Sequence, residues 1–300
     1  MRLGLILLLC LVNTGCALWR RDRAEPVENG PREQKAEPVL KPSEALKPKS
    51  LDIASPVSDH FYMRGIYFQG TVDTVLRIDS TGATEPDGTV LSGEDDLGLD
   101  DVVDQARMEF DIRMGERNHV RIDYFKLNRF SEQPLPRDIE FGDFEVDEGE
   151  VFRTRLDWRM LGLTYTYSLF RAERFEAGLG LGLHIIETLA EGSQPLTSNR
   201  ERDSEAAVFP TVAVTGAFRI SKRWAVTARG QSFSYTDDEE GFDGSLSDYH
   251  IDVQYRWRRN FAIGLGYSAI DIDLEVADAD NPFLFQMNTS GPEIFFRASF

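Results

Sequence analysis

His250 stands between two carboxylates at a spacing of two, Asp248 and Asp252. On an extended strand, residues two apart share a face, so the imidazole reaches either carboxylate. A His–carboxylate pair moves a proton, ligates a metal ion, or simply ties two strands together. His184 follows the alternate glycines Gly178, Gly180 and Gly182 and has no acid two residues away. It reads as an interior residue with its hydrogen bonds satisfied. Carboxylates also cluster at Glu94, Asp95, Asp96, Asp100 and Asp101, at Asp143, Glu145, Asp147, Glu148 and Glu150, and at 237–240. Oxygen-rich segments of this kind suit calcium or magnesium, but no EF-hand spacing is present and Gly98 falls at the wrong place. A solvated acidic surface is the simpler reading. Cys10 and Cys16 are the only cysteines, so no disulfide or Cys-based metal site is available beyond residue 16. The spacing therefore leads to an expectation of no cofactor and no resident metal.

The elements that must position these groups read with a period of two. Residues 105–114 alternate polar and apolar without a break, and 249–257 do the same. That is strand periodicity with one dry and one wet face. The dry face is rich in Leu, Ile, Val, Met and aromatics, while the other carries full charges, the inverted polarity of a membrane barrel. Ten strands are predicted: 61–78, 104–114, 119–130, 151–170, 174–190, 206–220, 224–236, 246–258, 261–274 and 289–300. Eight or twelve are the alternatives, because the ends of the first and fourth are soft. Tight turns at 115–118, 171–173, 221–223 and 259–260 alternate with long connections. The expected fold is an all-β, antiparallel up-and-down transmembrane barrel.

Alternation puts Arg107, Arg113, Arg121, Arg219, Arg229, Arg256 and Arg297 inside, with Asp73, Glu109, Asp111, Asp123, Glu176, Asp248, Asp252 and Glu293. His184 and His250 join them. A ten-stranded barrel is narrow, so these nearly balanced charges are expected to form a paired plug, with Arg107 to Asp123 linked across adjoining strands. Gly178, Gly180, Gly182, Gly264 and Gly266 make room for them. Tyr167, Phe175, Trp224, Tyr255, Trp257, Phe261 and Phe300 fall near the short turns as an aromatic girdle, with Tyr124, Trp158 and Tyr249 as a sparser girdle opposite.

Ile294, Phe296, Ala298 and Phe300 fall on one face of the last strand, which ends in Phe. Residues 61–300 thereby resemble the small OmpA-type barrels of the bacterial outer membrane, whose terminal strand the barrel-assembly machinery recognises. The resemblance implies short turns in the periplasm, longer loops outside, and outer-membrane lipid and lipopolysaccharide as surroundings. Ten-stranded surface proteases of the omptin type use His and Asp near the barrel mouth, but no omptin motif is present here.

The N-terminus reads as a targeting segment. Arg2 precedes an apolar run from Leu3 to Val12, then Asn13-Thr14-Gly15-Cys16. This resembles a bacterial lipobox with Cys16 as the lipidated residue, though Asn13 stands where an aliphatic is usual; simple cleavage after Ala17 is the alternative. Residues 1–15 are then the signal, 16–57 a Pro- and charge-rich periplasmic tether, and 58–300 the barrel. A net charge of −18 argues against nucleic acid as a partner. The function expected is structural or surface-interacting rather than enzymatic. A narrow solute channel and a membrane-embedded hydrolase using His250 are the alternatives.

Overall fold

The computed structural model describes residues 56–80, 87–195, 200–237, 242–276 and 283–300. The predicted signal and nearly all of the tether lie outside the described residues. Ten strands form one closed antiparallel sheet: β1 (Phe61–Ile78), β3 (Val102–Met114), β4 (Asn118–Pro134), β7 (Val151–Arg171), β8 (Phe175–Ser193), β9 (Arg200–Arg219), β10 (Trp224–Asp237), β11 (Phe242–Arg256), β12 (Phe261–Val276) and β13 (Phe283–Ser299). Closure comes from β1 pairing with β13, Tyr62 opposite Ser299 through to Ile78 opposite Phe283. A closed sheet leaves no strand edge to satisfy, which is what spanning hydrocarbon demands. Three short strands, β2 (Leu91–Ser92), β5 (Ile139–Phe141) and β6 (Phe144–Val146), lie in the first two long connections. Several strands run farther toward the long-loop end than alternation alone indicates; β4 continues to Pro134 and β13 starts at Phe283.

The polarity of the wall reverses part-way up. Near the short turns, β7 turns Leu161, Leu163, Tyr165, Tyr167 and Leu169 outward and Thr164, Thr166 and Ser168 inward. Above Leu161 the outward residues are Arg159, Arg155 and Arg153, and the inward ones are Met160, Trp158, Leu156 and Phe152. β1 switches at the same level, from outward Met63 and Tyr67 to Asp73, and from inward Arg64 to Phe68, Val72 and Leu76. Leu161–Phe170, at about 3.3 Å per residue and a tilt of roughly 40°, rises about 23 Å, matching the apolar belt of a membrane barrel. The lower half is thus solvated by lipid outside and by charge inside. The upper half is an ordinary water-facing barrel around an apolar core.

That core is the main departure from the expected all-polar lumen. Phe68, Phe125, Leu127, Phe152, Trp158 and Phe209 pack with Leu97 and Leu99 from the first long connection and Leu135, Ile139 and Phe141 from the second. Phe125 meets Trp158 edge-on at 5.1 Å and Phe68 at 6.2 Å. Trp158, assigned above to an outer girdle, is fully buried inside instead. Tyr67, Tyr124, Tyr249 and Tyr267, each about half exposed, make the upper girdle. Asp73, assigned to the lumen, points outward above the belt, where the outside is wet. Arg219 is only partly covered at the short-turn rim and reaches Glu173 at 2.9 Å.

The described acidic part of the first connection, 87–101, packs over this core through Leu91, Leu97 and Leu99 instead of standing free. Glu94 accepts from Arg129 at 2.5 Å and from the Thr74 amide, and Asp96 accepts from Arg137 at 2.7 and 3.0 Å. The Arg137 guanidinium, with the Ser92 amide, holds the Asp96 carboxyl below the ordinary carboxylate range. A lowered folded-state value stabilises the loop above the unfolded value near pH 4, and the benefit is lost as pH falls through the folded value. Arg137→Gln is therefore expected to speed limited proteolysis at 87–101 at pH 7. The gap from wild type should narrow as pH falls below the unfolded value of about 4; an equal gap at pH 7 and in acid would show the ion pair does not hold the loop.

Candidate functional site

The polar half of the lumen holds a cross-barrel network, assembled because inward positions of several strands carry charges at one level. Among the described residues, eight buried carboxylates (Asp59, Glu109, Asp111, Asp123, Glu176, Asp248, Asp252, Glu293) face seven buried guanidiniums (Arg64, Arg107, Arg113, Arg121, Arg229, Arg256, Arg297). Relative to the sequence assignment, Arg64 and Asp59 take the places given to Arg219 and Asp73. Arg64 sits on the same face of β1 as Tyr62 and Phe68, so its inward direction was available from parity. Asp59 precedes the strand and had no periodic signal.

The partners lie both on adjoining strands, as Arg107 and Asp123 do, and across the lumen. Glu109 accepts from Arg229 Nη1 at 2.6 Å and Tyr62 Oη at 2.5 Å. Arg64 donates to Asp252 at 3.1 Å and Glu293 at 3.4 Å, and stacks on the Phe295 ring at 3.8 Å. Arg107 Nη2 bridges Asp123 Oδ2 at 3.2 Å and Asp248 Oδ2 at 3.0 Å. Arg113 pairs both oxygens of Glu176 at 2.7 Å, and Asp111 reaches His119 at 3.1 Å. Arg121 approaches Asp123 at 3.8 Å and lines a polar cavity of about 80 Å³ with Thr166, Thr215 and Thr227.

His250 is enclosed by this network. Its Nε2 lies 3.2 Å from Asp252, 3.1 Å from Glu293 and 3.1 Å from Arg64 Nη2. Asp248 is not its partner. That carboxylate turns instead toward Arg107 and the neighbourhood of His184. His184 is fully buried, and neither ring nitrogen has a hydrogen-bond partner, which differs from the satisfied residue expected above.

The chain before β1 closes the short-turn end. Asp59 Oδ2 accepts from Arg256 at 2.7 Å and Arg297 at 2.9 Å, while Arg113 donates to the carbonyls of Val57 and Asp59. Pro56 and Val57, counted above with the tether, therefore belong to the folded mouth. Ile294 and Phe296 on the last strand, and Phe300 just after it, are exposed. Ala298 is buried between its ladder neighbours Met63 and Phe261.

No protein-family model matches the chain, and no curated protein matches it. Solved structures of bacterial outer-membrane barrels do. The outer membrane protease OmpT of Escherichia coli is 8% identical over 80% of this chain and 97% of its own, with a TM-score of 0.49. Ail, the attachment invasion locus protein of Yersinia pestis, is 10% identical over 78% and 99%, with a TM-score of 0.33. The transport unit of the Escherichia coli autotransporter AIDA-I is 8% identical over 80% and 90%, with a TM-score of 0.40. The fold itself is a closed ten-stranded antiparallel barrel.

Proposed function

We propose that this chain is a closed bacterial outer-membrane barrel with a structural or surface-interaction role. Its short turns face the periplasm and its upper half stands above the lipopolysaccharide as a rigid acidic platform. The observation that carries this reading is the apolar core: Phe125, Trp158, Phe209 and their neighbours fill the bore above the charge network, and residues of two long connections pack into it. A bore filled in this way supports a sealed lumen in preference to a path for ions or polar solutes. The enclosure of His250 by Arg64, Asp252 and Glu293 supports a tie between strands as its role. Divalent cations at the outer acidic segments would compete with the arginines that already hold Glu94 and Asp96.

On this reading Cys16 carries a lipid at the periplasmic leaflet, and the terminal face of Ile294, Phe296, Ala298 and Phe300 is what the assembly machinery engages. The purified full chain reconstituted in a planar bilayer should give no steady conductance. Stable, reproducible channels would replace this proposal with a pore.

A further inference from the structure

We propose that Asp123, His184 and Asp248 form a buried site for one divalent transition-metal ion, such as zinc, that staples β4, β8 and β11 across the lumen. A ligand atom from each residue lies within 4.8 Å of the others, and all three side chains are fully buried. Two carboxylates and an imidazole are a donor set that zinc and its first-row neighbours accept.

The unpaired atoms give the independent reason. Both ring nitrogens of His184, Oδ1 of Asp123 and Oδ1 of Asp248 have no hydrogen-bond partner, though each is shut off from solvent. Buried polar atoms left this way are costly, and several in one small cluster point to a shared ligand. The other oxygens are already fixed: Arg107 Nη2 takes Oδ2 of both aspartates, leaving both Oδ1 atoms available. Partners of this kind orient ligands around metals. Gly162 opposes Asp123 on the ladder and His184 on the other side; a Cβ there would stand 2.7 Å from Asp123 Oδ1. The missing side chain lets Asp123 lean across β7 toward His184.

Charge sets a limit that the site meets. Arg107 and Arg121, 3.8 Å from Asp123 Oδ1, oppose a cation. The polar interior as a whole, with eight carboxylates and seven guanidiniums, carries one excess negative charge when its histidines are neutral. One divalent ion changes the sign of that excess and not its size. Phe125 and Ile186, the next inward residues on β4 and β8, are buried and belong to the apolar core.

The test uses the full chain folded in detergent in chelator-treated buffer, then given zinc alone, dialysed, and assayed for bound metal and thermal unfolding. The expected result is about one zinc ion per chain, retained on dialysis, with a raised unfolding temperature. His184→Gln and Asp248→Asn should each lose the retained zinc and the zinc-dependent rise. Asp95→Asn, in the outer acidic segment, should keep both. Cobalt(II) in place of zinc should show visible absorption bands that disappear in His184→Gln. Wild type that retains no zinc and melts at one temperature with or without it overturns the proposal, whatever the variants do. So does zinc retained equally by a folded His184→Gln, which would place the ion at the acidic loops.

Discussion

Glu109→Ala is expected to lower the stability of the folded barrel by about 3–5 kcal/mol, the cost of stranding a buried charge. Glu109 is fully buried, and its two oxygens serve Tyr62 and Arg229, with Arg64 at 3.9 Å. Arg229 Nε and Nη2 have no hydrogen-bond partner, so losing Glu109 strands its guanidinium in the lumen. Glu109→Gln keeps an acceptor and removes the charge, so a smaller loss is expected. Asp95→Ala, exposed in the first long connection, should change little. Unfolding of purified barrel in detergent, followed by the shift between folded and unfolded bands on unboiled gels, measures all three. If Glu109→Ala melts like wild type, the polar half is open to water and the arginines are solvated.

Trp158→Ala should destabilise by a comparable amount, about 3–5 kcal/mol, through lost burial and the cavity left behind. Trp158 packs on Phe125 at the centre of the upper core, where Leu97 and Phe141 of the long connections meet the wall. Tyr124→Ala, one residue before Phe125 on the outward face, removes an aromatic from the girdle and opens no cavity. Its effect should be well under half as large. Conductance gives a second readout: if the apolar core is the seal, Trp158→Ala should show brief openings that wild type lacks. Equal stability losses for Trp158→Ala and Tyr124→Ala would mean that the core does not carry the upper half.

Strand periodicity, the long–short alternation of connections and the lower aromatic girdle depend on residues close together in sequence, and they were legible there. The ten strands follow from them because the pleat alternates side chains regardless of what surrounds the sheet. The inward direction of Arg107, Glu109, Asp111, Arg113, Arg121 and Asp123 follows for the same reason. Trp158 and Asp73 were misplaced because alternation separates two faces without saying which one is wet. In the lower half the outside is lipid and the inside is charged; above Tyr67 and Leu161 the solvents exchange places. An apolar residue on β7 therefore faces lipid at position 161 and the core at 158. The choice of partners across the lumen was also out of reach of the sequence. Arg64 meets Asp252 and Glu109 meets Arg229 over separations of 188 and 120 residues. Asp248 left its sequence neighbour His250 for Arg107 and the surroundings of His184. Sequence determined which residues of a strand share a face; closure of the sheet decided the partners across the lumen, because only closure brings opposite walls within hydrogen-bonding reach.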